Sequence, residues 1–191
     1  MTRVGVLALQ GDFAEHIGLL QSLEVEGTEV RLARDLDKVE KLIIPGGEST
    51  TILNLMRTFD LEGPIKHLIK DGMPTWGTCA GMIVLAQEIS DGFPDPLRII
   101  DIRVKRNAYG GQRESFESDI DVTPLESDEN TFRGVFIRAP SIETVGSGVR
   151  PLAYLNGDNV VAAQEGRVMV TSFHPELTQD TRFHEYFLNQ L

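Results

Sequence analysis

Strand-like and helix-like periods take turns along the N-terminal half of the chain, and this alternation constrains the fold more than any other feature. Residues 4–9, "VGVLAL", form a short continuous apolar run, the pattern of a strand buried on both faces. The segment "DFAEHIGLLQSL" then places Phe13, Ile17, Leu20 and Leu23 at helical spacing. Residues 29–33, "EVRLA", read as a second strand, and "KLIIPGG" as a third, stopped by Pro45, Gly46 and Gly47. Ser49 or Thr50 is placed to cap the helix "TILNLMRTF". A fourth strand ends at "PTW", and the residues after Cys79 return to the helical period. Strand–helix alternation with right-handed crossovers predicts a parallel sheet covered by helices on both faces.

The C-terminal half changes character. "LRIIDIRV", "SFESDIDVT", "RGVFIRA", "RPLAYL", "NVVAAQ" and "RVMVTSF" read as strands, with Asn156-Gly157 and Glu165-Gly166 as hairpin turns. "SDGFPDPL" and "NAYGGQRES" read as surface loops. The last segment, "DTRFHEYFLNQL", is a helix with Phe183 and Phe187 on one face. The expectation is one α/β domain over residues 1–191. It is a flavodoxin-like three-layer sandwich, its sheet mostly parallel with an added antiparallel part.

Charge and cysteine usage narrow the function. A net charge of −11 argues against nucleic acid or an anionic membrane as partner. The single cysteine leaves no internal disulfide, so a reducing, cytoplasmic setting is expected. The N-terminal apolar run meets Gln10, Gly11 and Asp12 too early for a secretion signal. No stretch approaches the roughly 18 apolar residues of a membrane span.

In open α/β sheets, sites form at the carboxyl ends of the strands. Three segments lie there. "GTCAG" has the small-x-nucleophile-x-small form of a strand-to-helix elbow, which exposes the Cys79 sulfur at a helix N-terminus. Free N–H groups there favour a negatively charged sulfur, and the Ala80 amide is placed to donate to an oxyanion. A buried structural cysteine is the competing reading. "SFHPEL" puts His174 and Glu176 two residues apart. Pro175 disfavours helix at His174, and an extended segment would turn both side chains the same way. Glu176 can then hold the imidazole in one tautomer while His174 serves as base; a solvated surface pair is the alternative. His16, His67 and His184 fall in helical patterns and read as surface or boundary residues. In "PGGEST", Gly47 can bring a second amide to the oxyanion, although a plain capped turn has the same sequence form. No histidine pair stands at ligand spacing, so no metal is expected.

Together "GTCAG", "SFHPEL" and "PGGEST" resemble the Cys-His-Glu class I glutamine amidotransferases. "GVLALQGDFAEH", "LIIPGGESTT", "GTCAGMIVLA", "RNAYGGQRESFE", "GVFIRAP" and "SFHPELTQD" are similar to the glutaminase subunits of pyridoxal 5′-phosphate synthases. The resemblance implies that L-glutamine is hydrolysed to glutamate and ammonia. The ammonia would pass to a separate (βα)-barrel synthase subunit, which joins it to a pentose phosphate and a triose phosphate. It implies Cys79 as nucleophile, His174 as base and Glu176 as its orienter, with no cofactor. It assigns glutamine binding to Gly47, Glu48, Ser49, Arg106, Ile137 and Arg138, and the oxyanion hole to Gly47 and Ala80. Gln10 and Gly11 fall where the family meets its partner. Tyr109 and Gly111 stand where the family pattern has a Phe and an Arg, which bears on that loop and not on the triad. Two other readings stay open: another cysteine hydrolase of the same superfamily, and a non-catalytic module that uses Cys79 as a redox switch.

Overall fold

A computed structural model describes residues 2–108, 115–123 and 130–191. Tyr109 and Gly111 lie outside the described residues. Strand β1 (Arg3–Leu7) leads into helix α1 (Phe13–Ser22), then β2 (Glu26–Val30), the short α2 (Ala33–Leu36) and β3 (Lys41–Ile44). Helices α3 (Ser49–Thr58) and α4 (Glu62–Lys70) precede β4 (Thr75–Thr78), which turns through Cys79 into α5 (Ala80–Leu85). Strands β5 (Ala86–Ile89) and β6 (Ile100–Lys105) follow, then β7 (Ser115–Val122), β8 (Thr131–Ile137) and β9 (Ser141–Val145). The chain closes with β10 (Arg150–Leu155), β11 (Asn159–Glu165), β12 (Val168–Thr171), a 3₁₀ turn over Pro175–Leu177, and α6 (Arg182–Gln190).

Among the described residues the main sheet runs β2-β1-β3-β4-β12-β11-β10-β7-β8. Its first five strands are parallel and the rest pair antiparallel. The parallel part has the doubly-wound order in which the chain reverses direction beside β1, and that reversal opens a crevice at the carboxyl ends of β1 and β3. The fifth parallel place is filled by β12, which the chain reaches only after its antiparallel excursion. A second sheet, β5-β6-β9, flanks the first.

Period-two alternation along the central strands separates two apolar cores. Leu42, Ile44, Val168 and Val170 face Leu53 of α3, Ile65 of α4 and Met82 of α5. Ile43, Trp76 and Met169 face the other way, toward Leu20 of α1 and Phe183 and Phe187 of α6. Each central strand is therefore buried on both faces, which is why its sequence reads as an unbroken apolar run.

Several boundaries differ from the sequence expectation. β2 begins at Glu26 and ends at Val30, not at residues 29–33. It is the sheet's edge and mostly exposed, so little apolar signal marks it. The carboxylate of Asp35 accepts from the amides of Arg31 and Leu32 and starts α2 where a strand was expected to continue. Glu48, not Ser49 or Thr50, caps α3: its carboxylate accepts from the amides of Thr50 (3.1 Å) and Thr51 (2.7 Å). Helix α4 and strands β5 and β9 had no counterpart in the sequence reading. The Asn156-Gly157 hairpin holds, with both residues at positive φ, 54° and 84°. The second hairpin turns on Gly166-Arg167, since Glu165 still pairs with Val168.

Candidate active site

The carboxyl ends of β1, β3, β4 and β12 lie side by side and surround one cavity of about 460 Å³. That volume is within the range that takes a small metabolite, roughly 300–1,000 Å³. All the residues that the sequence named for the site line it except Glu176, which is buried behind His174: Gln10, Gly11, Gly47, Glu48, Ser49, Cys79, Ala80, Arg106, Ile137, Arg138 and His174. Asp12, Ile83, Asn107 and Pro140 join them without having been foreseen.

Cys79 sits at φ 48°, ψ −101°, a left-handed conformation that non-glycine residues rarely hold. Crowding around the elbow explains its small neighbours. A Cβ on Gly77 would stand 2.5 Å from the Gly81 carbonyl oxygen, and one on Gly81 would stand 2.0 Å from that of Ile44. The strained turn is anchored by the Cys79 amide, which donates to the Thr171 carbonyl at 2.8 Å and ties β4 to β12. Sγ lies 3.9 Å from the Ile137 carbonyl oxygen.

His174 follows β12 and donates its backbone amide to the Val135 carbonyl at 2.8 Å. Its Nδ1 lies 2.7 Å from Glu176 Oε1 and 3.4 Å from Asp12 Oδ2. With Nδ1 committed to carboxylates, Nε2 is the ring nitrogen left for sulfur. Burial opposes a charge on the imidazole, but hydrogen bonds and charge from Cys79 and Glu176 outweigh it and push the His174 pKa up to about 10. Burial raises the Glu176 pKa, and the bond to His174 works against that rise. The i, i+2 contact does not come from an extended segment. Pro175 opens a 3₁₀ turn with His174 as its N-cap at φ −107°, ψ 86°, and the turn folds Glu176 back beneath the ring. Glu176 is buried and is no surface carboxylate.

The Gly46–Glu48 segment is held from the β1 side. Gln10 Oε1 accepts from the Glu48 amide at 2.6 Å, and the Gly46 carbonyl accepts from the Asp12 amide at 3.1 Å. Gly11 (φ 98°) lies so close to Gly46 that a Cβ there would stand 1.7 Å from its oxygen. Arg106 binds Asp91 through Nη2 at 3.0 Å and lies over the Phe93 ring, so its guanidinium is braced at the cavity rim. Arg138 stands at φ 43°, with no ion pair among the described residues.

His16 and His184, expected at a surface or boundary, are fully buried. They pack edge-on around Trp76, and His16 reaches Thr78, the residue before the cysteine. Helical periodicity put both histidines in helices, but it could not tell a buried polar pair from a boundary one. The carboxylates of Asp12 and Glu176 both face Nδ1 of His174 and orient its ring.

The SNO glutamine amidotransferase family model matches residues 6–191. The chain belongs to this family. It is 52% identical over 97% of its length to the pyridoxal 5′-phosphate synthase subunit PdxT of Roseiflexus sp. (strain RS-1), covering 98% of that protein. It is 53% identical to the PdxT of Herpetosiphon aurantiacus, covering 97% of this chain and 98% of that one. A crystal structure titled as a glutamine amidotransferase superposes with TM-score 0.91 at 48% identity, covering 97% of this chain and 96% of that chain. PurLQS from Thermotoga maritima shares the fold at TM-score 0.69 and 16% identity, covering 99% and 98% of the two chains. No helix among the described residues is long and apolar enough to cross a membrane.

Proposed function

We propose that Cys79, His174 and Glu176 are the catalytic triad of a glutaminase that supplies ammonia inside a pyridoxal 5′-phosphate synthase. The chain is a glutamine amidotransferase and the glutaminase subunit of that synthase. The observation that carries the triad is one imidazole held between a buried carboxylate and a cysteine at a strained elbow. The cavity takes L-glutamine, with residues 1–191 acting as one amidotransferase domain.

The chemistry follows from that geometry. His174 accepts the Sγ proton as the sulfur attacks, and Glu176 steadies the imidazolium that forms. The sulfur attacks the side-chain amide carbon of glutamine, and the carbonyl oxygen becomes an oxyanion facing the amides of Gly47 and Ala80. The imidazolium gives its proton to the departing nitrogen, ammonia leaves, and a thioester remains. Neutral His174 then takes a proton from water, hydroxide attacks the thioester, and glutamate is released with Sγ restored. Glu48 and Ser49 bind the substrate together with the Ile137-Arg138 segment, which lines the same cavity. The Arg106 guanidinium suits its α-carboxylate, although Asp91 already occupies part of it.

Ammonia passes to a (βα)-barrel synthase subunit in the cytoplasm. Gln10 and Gly11 sense its docking, because they grip the Gly46–Glu48 backbone directly. The test is ammonia release with and without the synthase subunit. Cys79→Ala releases none, and Glu176→Gln keeps glutamine affinity but turns over slowly. Wild-type turnover in pure Cys79→Ala protein would refute the triad.

A further inference from the structure

Behind the triad lies a second layer of histidines that the reaction does not touch. His16 Nε2 stands 3.4 Å from Glu176 Oε2, with both side chains inaccessible to solvent. The same Nε2 is 3.2 Å from Thr78 Oγ1, and His16 Nδ1 is 3.0 Å from His184 Nε2. Among the described residues Glu176 Oε2 has no hydrogen-bond partner of good geometry, and the His16 ring is the cation-capable group beside it. We propose that His16, its tautomer set by His184, is a positioning residue that holds the far oxygen of Glu176 and so keeps the triad carboxylate charged and aimed at His174. The inference rests on the triad reading above.

Burial and hydrogen-bond satisfaction select the tautomers. Burial, with charge from His184 and then His174, drives His16 far toward its neutral form, and burial lowers the His184 pKa to about 3. Each ring therefore carries one N–H. If His16 holds its proton on Nε2, that N–H faces Glu176 and Thr78, and its Nδ1 accepts from the Nε2–H of His184. Of the two rings' nitrogens, the one left over is His184 Nδ1, a lone pair buried without a partner among the described residues. The reverse arrangement aims a lone pair at the carboxylate and buries an N–H with no acceptor. Unpaired buried donors are rarer than under-used acceptors, so the first arrangement is favoured.

The effect on activity is modest and directional. A good charge-assisted N–H···O bond is about 2.7–2.9 Å, and this contact is longer and shared with Thr78. Removing it favours the neutral form of a carboxyl whose pKa burial already raises, so the acid limb of the rate profile moves to higher pH. The groups facing Glu176 are His174 on its own turn, His16 of α1 and Asp12 ahead of α1. Cys79 and His184 act one residue further out.

The test compares two amides in the complex with the synthase subunit. In His16→Asn the amide reaches only the Nδ1 place, keeps His184 company and withdraws the donor from Glu176. In His16→Gln the amide nitrogen reaches the Nε2 place and restores it. The expected result for His16→Asn is a kcat about tenfold lower, the equivalent of about 1.4 kcal/mol, with an acid limb about one pH unit higher and little change in the KM for glutamine. His16→Gln recovers most of both. Equal losses in the two variants, or an unmoved acid limb in His16→Asn, would overturn the proposal. Should His16→Asn not fold, His184→Phe removes the donor that sets the tautomer, and an unmoved acid limb there overturns it equally. Glu176→Gln is measured alongside. A low kcat in Glu176→Gln beside a normal His16→Asn sinks this inference alone, whereas a normal kcat in Glu176→Gln sinks the triad and the inference with it.

Discussion

Gly46→Ala adds one methyl group at a position with no left-handed φ, where the nearest obstacle is the His174 ring. A Cβ on Gly46 would stand 2.4 Å from His174 Cε1, 2.9 Å from Nδ1 and 3.0 Å from Asp12 Oδ2. Ordinary contact begins near 3.4 Å, so the imidazole must retreat by about 1 Å. It cannot do so freely. Its backbone is tied to Val135, its Nδ1 is held 2.7 Å from Glu176 Oε1, and the ring is 3% exposed. A displacement of that size in a reacting group costs about 10²-fold in rate, or about 2.7 kcal/mol of transition-state stabilisation. Overpacking also lowers stability by about 1–3 kcal/mol, which leaves a foldable protein. The assay is ammonia release by the synthase complex under saturating glutamine, with a urea melt on the same preparation. Expected is a kcat down about 100-fold with a smaller change in KM. A folded Gly46→Ala protein whose kcat is within about twofold of wild type would refute the steric reasoning, and with it the claim that this glycine exists to admit His174.

Acid should weaken the fold through His184. Its folded pKa of about 3 lies below the unfolded value of 6.5, so between these the unfolded chain binds a proton that the native one refuses. Stability therefore falls as pH drops from 6.5, by about 2 kcal/mol at pH 5, and the loss shrinks in His184→Gln; equal urea midpoints at pH 7 and pH 5 would contradict this. His174 does not offset the loss, because its raised pKa adds stability that is already complete below 6.5 and is lost only as pH rises toward 10. Gly18→Ala in the exposed interior of α1 meets nothing within 4 Å and should raise stability by about 0.5–1 kcal/mol without altering kcat, read by thermal melting and the same ammonia assay. Gln10→Ala removes the acceptor at the Glu48 amide and should flatten the rise in activity as synthase is titrated in. The ceiling for that effect is one oxyanion donor, about 10²–10³-fold, and an undiminished rise would show that Gln10 does not transmit docking.

Residues whose roles are local were legible in the sequence. The glycines around Cys79 announce a crowded elbow because no other residue tolerates that approach, and the apolar runs of β1, β3 and β12 announce strands buried on both faces. Three motifs at strand ends converge because a parallel sheet places all such ends on one side, so the cavity lining could be foreseen almost entire. Features that depend on partners distant along the chain could not be foreseen. The Glu48 cap depends on which way the chain leaves β3, and edge strand β2 carries little apolar pattern to mark its start. The His174–Glu176 contact was expected, but from an extended segment; the 3₁₀ turn that makes it was not. His16 and His184 are 168 residues apart, and each alone looks like an ordinary helical histidine. Only the packing of α1 and α6 on the same sheet face buries both beneath Glu176. Periodicity records which face of a helix is covered; only the tertiary structure decides what covers it.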